Sequence, residues 1–106
     1  MAQNKLEARI WRGETRAADA DAYLDVLRRT GVADYRSVDG NRGVFVLRRT
    51  RGDRAEFLLL TLWESREAIA RFAGDDIDKA KYYEEDEKYL LGFAPTVDHF
   101  TLEIQE

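Results

Sequence analysis

Two neighbouring segments are apolar on both of the faces that a β-strand presents. Arg54–Trp63 reads RAEFLLLTLW, and the segment before it, Gly43–Thr50, reads GVFVLRRT. Alternate residues of a strand point to opposite sides, so a strand with one solvated face alternates between apolar and polar residues. Neither segment alternates in this way. Helices can cover one face of such a hairpin, and a further layer has to cover the other.

A second copy of the chain supplies that layer most simply. Leaving three or four large apolar side chains in water forfeits roughly 1.5–3 kcal/mol for each of them. We therefore expect a homodimer in which two sheets face each other. The alternative is that the second segment, Arg54–Trp63, twists into a loop before it forms a full strand.

The rest of the chain predicts a βαββ unit followed by helices and a last strand. The predicted elements are a strand at Leu6–Gly13, a helix at Arg16–Thr30 closed by a left-handed Gly31, an irregular or short extended stretch at Val32–Val38, the hairpin, a helix capped by Ser65 and ending near Gly74, a helical stretch at Asp75–Leu91, and a strand at Thr96–Ile104. This order predicts one ferredoxin-like α+β domain over residues 1–106, with a four-stranded antiparallel sheet and helices on one face.

Composition excludes several classes of function. The formal net charge is −4, which argues against a nucleic-acid partner because such binding requires a basic patch. The chain has no Cys and one His, so we expect no protein-built metal site. No apolar run approaches the ~20 residues that cross a bilayer, and the first residues lack the apolar core of a signal peptide. A cytoplasmic protein without a membrane partner is expected.

Few side chains are candidates for chemistry. His99 is the only imidazole, and Tyr82 and Tyr83 offer phenols, so these three are the candidate catalytic groups. Each has a plainer interpretation, as an edge histidine or as half-buried packing tyrosines. The candidate residues of a substrate pocket are Trp63, Phe72, Trp11 and Arg9. The alternatives are that Trp63 packs in the core and that Trp11 and Arg9 line the dimer interface.

Several of these segments together resemble the antibiotic biosynthesis monooxygenase family. They are the βαββ order, the junction TLWES at Thr61–Ser65, the following AIARFAG, and the last strand VDHFTL. The resemblance covers about Leu6–Ile104 and implies a dimeric α+β barrel. That superfamily includes cofactor-free oxygenases of aromatic polyketides, haem-degrading enzymes, isomerases and signalling proteins.

Only one pocket residue of the cofactor-free oxygenases is kept. Trp63 matches the Trp that lines their substrate pocket. Their Asn and Tyr fall on Leu59 and Ile69, and their Arg falls near Tyr82, so these three positions differ in kind.

The haem-degrading branch is matched less well. Its second Trp falls on Phe72, its iron-ligating His falls near Tyr82, and its first-strand Asn falls near Ala8 or Arg9. The missing iron ligand argues against haem, and we expect no cofactor.

The resemblance therefore implies a cofactor-independent monooxygenase acting on a small aromatic or enolisable substrate. Such a reaction needs an apolar pocket and a base or hydrogen-bonding group. We expect a cavity between the sheet and the helices that touches Trp63 and at least one of His99, Tyr82 and Tyr83. Two alternatives stay open: a dimeric small-molecule-binding or interaction protein without turnover, and an isomerase or lyase that acts by proton transfer.

Overall fold

One antiparallel sheet forms the framework of the protein. The computed structural model describes residues 5–106. The strands are β1 (Glu7–Arg16), β2 (Asn41–Arg51), β3 (Arg54–Trp63) and β4 (Asp98–Thr101). Their order in the sheet is β2-β3-β1-β4, and all neighbours are antiparallel. This arrangement confirms the predicted ferredoxin-like α+β fold. The predicted hairpin is also present, because Gly52 adopts a positive φ of 56° in the tight turn between β2 and β3.

Short helices cover one face of the sheet. A 3-10 turn at Ala17–Asp19 leads into α1 (Ala20–Arg29), and α2 (Gly31–Ser37), α3 (Arg66–Ala73) and α4 (Asp86–Tyr89) follow. The Ser65 hydroxyl accepts a hydrogen bond from the backbone N–H of Ala68 at 3.1 Å, which confirms the predicted N-cap of α3.

The prediction for the end of the first helix was wrong. Gly31 does not adopt the left-handed conformation of a C-terminal glycine, and it begins α2 instead. The segment 32–38, predicted to be irregular or extended, is therefore mostly helical. Burial of Tyr35 explains the difference, since its ring packs against Phe72 with 4.4 Å between ring centroids. A contact so distant in sequence is invisible to local periodicity.

The prediction of a helix over Asp75–Leu91 was also wrong, because only α4 is α-helical there. The buried carboxylate of Asp86 accepts the Tyr23 hydroxyl at 2.9 Å and the backbone N–H of Tyr83 at 2.7 Å. A side chain that accepts the backbone N–H three residues before it is typical of a helix start, so this turn begins at Tyr83 and does not continue a helix from residue 75. The last strand is likewise shorter than the predicted Thr96–Ile104.

The sheet is apolar on both faces, as the sequence predicts. The inner face, which the helices cover, buries Phe57, Leu59 and Trp63 almost completely. The outer face carries Ile10, Phe45, Leu47, Leu58, Leu60 and Phe100. On this outer face Phe45, Leu47 and Phe100 are 50%, 51% and 56% exposed. β3 continues without a break, so the alternative of a twisted loop is wrong.

No helix within residues 5–106 is long and apolar enough to cross a bilayer.

Candidate functional site

A row of neighbouring side chains on the inner face defines the candidate site. Arg9 of β1 is paired with Thr61 of β3 on one side and with His99 of β4 on the other. Directly opposed residues of antiparallel strands have Cβ atoms about 5 Å apart. The register of the sheet therefore places the guanidinium and the imidazole side by side beneath the helices.

Arg9 is a cation enclosed by protein. It is 1% exposed, and its Nη2 donates to the backbone carbonyl of Lys79 at 3.0 Å. Its Nε has no hydrogen-bond partner among residues 5–106. The guanidinium lies over the ring of Phe72, 5.2 Å from the centroid. Burial lowers the pKa of Arg9, because removal from water disfavours the charged form, and the neighbouring Tyr35 hydroxyl partly opposes this change.

His99 lies beside this cation with one nitrogen bonded and the other not. Its side chain is 4% exposed, and Nδ1 lies 3.0 Å from a carboxylate oxygen of Asp78. Within the described part of the chain, Nε2 has no partner. Burial lowers the pKa of His99, and the charge of Arg9 lowers it further, while Asp78 opposes both. The ring is therefore neutral near pH 7.

The bond to Asp78 decides which nitrogen carries the proton of the neutral ring. A carboxylate accepts a hydrogen bond, so Nδ1 is the donor and Nε2 keeps a free lone pair. The tautomer is thus assigned from the hydrogen bond. A buried lone pair without a partner is the feature that a general base requires.

Aromatic rings form the wall next to these polar groups. Trp63 is fully buried, and its Nε1 donates to the Thr61 hydroxyl at 2.8 Å. Its ring centroid lies 6.0 Å from that of Phe72 and 6.2 Å from that of Tyr35. The structure therefore brings Trp63, Phe72, Arg9 and His99 into one cluster. We call Arg9, Tyr35, Asp78 and His99, with these rings, the Arg9 cluster.

Tyr83 lies at the rim of the cluster. Its hydroxyl donates to the carboxylate of Asp34, which also binds the Lys81 ammonium at 3.0 Å. Burial raises the pKa of Tyr83 above its usual range, and the Asp34 carboxylate raises it further. The phenol therefore stays protonated, and its hydroxyl proton is used in the hydrogen bond to Asp34.

Trp11 and Tyr82 form a separate group. The Trp11 Nε1 donates to the Tyr82 hydroxyl at 3.3 Å, and that hydroxyl donates to the carbonyl of Ala94 at 2.6 Å. The indole lies across Gly13, where a Cβ atom would come within 2.2 Å of the ring. The predicted site residues thus fall into two groups rather than one.

Among residues 5–106, two of the cavities that open on the surface are lined by neither Trp63 nor His99. A groove of about 890 Å³ is lined by residues that include Leu47, Leu58, Leu91 and Phe93. A smaller one of about 320 Å³ is lined by Tyr82, Tyr83, Glu84, Glu87 and Phe93. The cavity that we expected against Trp63 is therefore not one of these two, and it stays a prediction.

The Arg9 cluster is covered by the segment 77–79. Arg9 bonds the Lys79 carbonyl, and His99 bonds the Asp78 carboxylate. One isolated bridge, Lys79 to Thr96, ties this segment to the chain before β4.

Sequence reasoning missed Tyr35 and Asp78. Tyr35 lies in the stretch predicted to be irregular or extended, and Asp78 lies in the stretch Asp75–Leu91 that was predicted to be helical. No local signal marks either residue, because both reach the cluster only through tertiary packing.

Among the described residues, no group of three or more His, Asp and Glu side chains is arranged to hold a metal ion.

The fold and the cluster together define a ferredoxin-like α+β protein with a buried Arg–His pair under its helices. Residues 10–77 match the model of the antibiotic biosynthesis monooxygenase family, and the chain belongs to that family. The predicted family is thereby confirmed. No curated protein sequence matches the chain.

Solved structures agree with this assignment of the fold. A candidate antibiotic biosynthesis monooxygenase from Nitrosomonas europaea is 12% identical, with a TM-score of 0.68 and coverage of 95% of this chain and 93% of that one. SnoaB, a cofactor-independent oxygenase from Streptomyces nogalater, is 13% identical, with a TM-score of 0.61 and coverage of 96% and 95%. At these identities the likeness shows the fold alone.

Proposed function

We propose that the protein is a cofactor-independent monooxygenase that acts on a small aromatic or enolisable substrate at the Arg9 cluster. Membership of the antibiotic biosynthesis monooxygenase family supports an oxygenase at the level of the family. SnoaB, which shares the fold, is a cofactor-independent oxygenase. The observation that carries the proposal is the buried, unpartnered Nε2 of His99.

In this reaction His99 is the base. Its Nε2 takes a proton from an electron-rich substrate such as an anthrone, and Asp78 holds the ring through Nδ1. The resulting enolate gives electrons to O₂ and forms a carbon–oxygen bond to a peroxide. The imidazolium protonates the peroxide to a hydroperoxide. The second C–H bond at the same carbon then loses its proton to Nε2 as the O–O bond breaks, and the departing hydroxide takes up that proton. One oxygen atom remains in a new carbonyl group, and the other leaves as water.

The aromatic rings of the cluster supply the remaining requirements. Phe72 and Trp63 offer flat apolar surfaces to an aromatic substrate, and enclosure by the segment 77–79 excludes water from the reactive enolate. Opening of that segment admits the substrate in this proposal. The resemblance of the TLWES junction to the oxygenases implies the same wall at Trp63, and this role is part of the proposal.

Oxygen uptake tests the proposal. An anthrone is offered to the protein in an oxygen electrode, with its spontaneous oxidation subtracted. We expect uptake in step with quinone formation, and His99→Gln should lower the rate by about 10²–10⁴-fold. Absence of uptake with anthrones and quinols, or full activity in His99→Gln, would contradict the proposed reaction.

A matched pair of aspartate variants tests the role of Asp78. Asp78→Asn removes the carboxylate from Nδ1, whereas Asp98→Asn makes the same change on β4 at an exposed ion pair with Arg12. Asp78 raises the pKa of His99, so Asp78→Asn should move the acidic limb of the kcat/KM profile to lower pH. Asp98→Asn should leave the profile unchanged. An unchanged profile in both variants would remove Asp78 from the mechanism.

Isomerisation by proton transfer is the second candidate, because the same His99 lone pair favours it. An isomerase would exchange a substrate proton with deuterium from D₂O without consuming oxygen. Exchange without uptake would therefore favour the isomerase over the oxygenase.

We also propose that the protein is a homodimer with the outer faces of its two sheets in contact. The half-exposed Phe45, Leu47 and Phe100 support this arrangement, since they form one apolar surface across the sheet.

A further inference from the structure

The unpaired edge of the Arg9 guanidinium points to the chemical class of the ligand. We propose that Arg9 binds the carboxylate group of a small aromatic acid. This inference deepens the proposed function, from which it takes only the location of the substrate. It adds a carboxylate to the phenol or anthrone of the proposed reaction, so that the natural ligand is an anion on entry and the neutral compound is its weaker-binding analogue.

A second arginine of this chain shows which group the Nε and Nη2 edge of a guanidinium binds. Arg49 holds Glu56 through Nε and Nη2, at 3.0 Å to each of the two carboxylate oxygens. In Arg9 the same edge is incompletely used: Nη2 donates to the neutral carbonyl of Lys79, and Nε has no partner among residues 5–106. Two parallel N–H donors fit a carboxylate better than they fit any neutral acceptor.

Arg9 also forms no direct ion pair in the described part of the chain, although the charge of Asp78 and the Tyr35 hydroxyl favour its charged form. Glu7 lies on the same face of β1, two residues away, yet the two side chains form no ion pair. The carboxylate of Asp78 bonds His99 instead. An enclosed charge without a partner is costly, and a carboxylate on the ligand supplies the missing partner.

The surroundings specify the rest of the ligand. Phe72 lies under the guanidinium at 5.2 Å, and Trp63 lies beside Phe72, so an aromatic ring attached to the carboxylate has apolar surfaces to contact. His99 is the cross-strand neighbour of Arg9. A hydroxyl group next to the carboxylate on the ring therefore comes within reach of Nε2. When the ligand enters, its carboxylate takes the place of the Lys79 carbonyl as the acceptor of the hydrogen bond from Arg9 Nη2. A charged acceptor forms the stronger bond.

Binding without turnover tests this inference. Salicylate and its neutral analogue salicylamide have the same ring and hydroxyl group and differ in the carboxylate. Isothermal titration should give at least about tenfold tighter binding of salicylate, roughly 1.4 kcal/mol. In protein labelled with ¹⁵N-arginine, salicylate should also shift the Nε–H resonance of Arg9, since that group gains a partner, whereas salicylamide should not.

Variants of two arginines on β1 supply the control. Arg9→Lys keeps the charge but loses the planar fork, and Arg9→Gln loses both. Arg9→Gln should abolish the preference for salicylate, and Arg9→Lys should reduce it, with thermal unfolding used to confirm that each variant is folded. Arg12→Gln changes an exposed arginine on the outer face, paired with Asp98, and should keep the preference.

Several results would overturn the assignment. They are equal affinity for the two compounds, no binding of either up to about 10 mM, or a preference that survives in folded Arg9→Gln. Because the readout is binding, the proposed oxygenase can fail while the carboxylate site stands. Conversely, oxygen uptake with neutral anthrones but no preference for salicylate would remove the carboxylate site alone.

Discussion

Replacement of Phe45 on the outer face by a charged residue is the sharpest test of the proposed dimer. Phe45, Leu47 and Phe100 each leave about half of the side chain in water. Burial of that half is worth about 1 kcal/mol for each, so both protomers together gain roughly 6 kcal/mol. The sheet face covers roughly 600 Å² at the usual strand spacings, close to the ~800 Å² that each partner contributes to a stable interface.

The substitution Phe45→Glu acts twice in a symmetric dimer. It removes roughly 2 kcal/mol of apolar burial and forces two carboxylates out of water, which costs several kcal/mol more. We expect the dissociation constant to rise at least about 1000-fold, equivalent to roughly 4 kcal/mol. The isolated chain should still fold, because residue 45 is half exposed on the sheet of a single chain.

Sedimentation velocity over a range of concentrations measures the effect. Thr50→Glu is the matched control, because it places the same charge on the opposite face of β2 at an exposed position. The unchanged protein and Thr50→Glu should sediment as dimers, and Phe45→Glu should sediment as a monomer. A monomeric unchanged protein at about 100 µM, or a Phe45→Glu dimer of ordinary affinity, would refute the reasoning from burial.

Three further predictions concern stability and pH. Tyr23→Phe removes the hydroxyl that donates to the buried Asp86 and should lower the free energy of unfolding by about 1.5–3 kcal/mol in urea denaturation; Tyr89→Phe, at a half-buried ring, should change it far less. Ser65→Ala removes the N-cap of α3 and should lower the free energy of unfolding by about 1 kcal/mol, whereas Ser65→Asp should keep most of the stability. An unchanged free energy of unfolding in Ser65→Ala would mean that water replaces the cap. The folded-state pKa of His99 is lowered, so the folded protein binds fewer protons than the unfolded chain, and stability should fall as pH falls below about 6.5. In His99→Gln the slope of stability against pH between about 5 and 6.5 should be smaller, and an equal slope would contradict the lowered pKa.

The sheet and its amphipathic helices were predictable because their signals are local. The apolar runs in Gly43–Thr50 and Arg54–Trp63, with the turn around Gly52 between them, predict β2 and β3. The spacing of Ala68, Ile69 and Phe72 predicts the buried side of α3, and all three are buried. The spacing of apolar residues and the preference of certain residues for turns both act over a few positions, so they can be recognised in a single sequence.

The candidate site was predictable only in part. Arg9, Trp63, Phe72 and His99 could be chosen by residue type, yet their meeting depends on the register of β1 with β3 and β4. Tyr35 and Asp78 gave no signal, because long-range packing fixes their conformation. Trp11 and Tyr82 share the same chemical types but meet each other instead of His99.

The sequence by itself determined a two-faced apolar hairpin, the βαββ order and the family, because these follow from short-range pattern. Only the tertiary structure decided the irregular path of the segment 75–85, which leads to the buried Asp86 that binds the distant Tyr23 hydroxyl. It alone decided that Arg9 is enclosed beside a neutral imidazole with an unpartnered edge. Burial and the choice of partners are properties of the folded chain as a whole, since they depend on side chains that lie far apart in sequence.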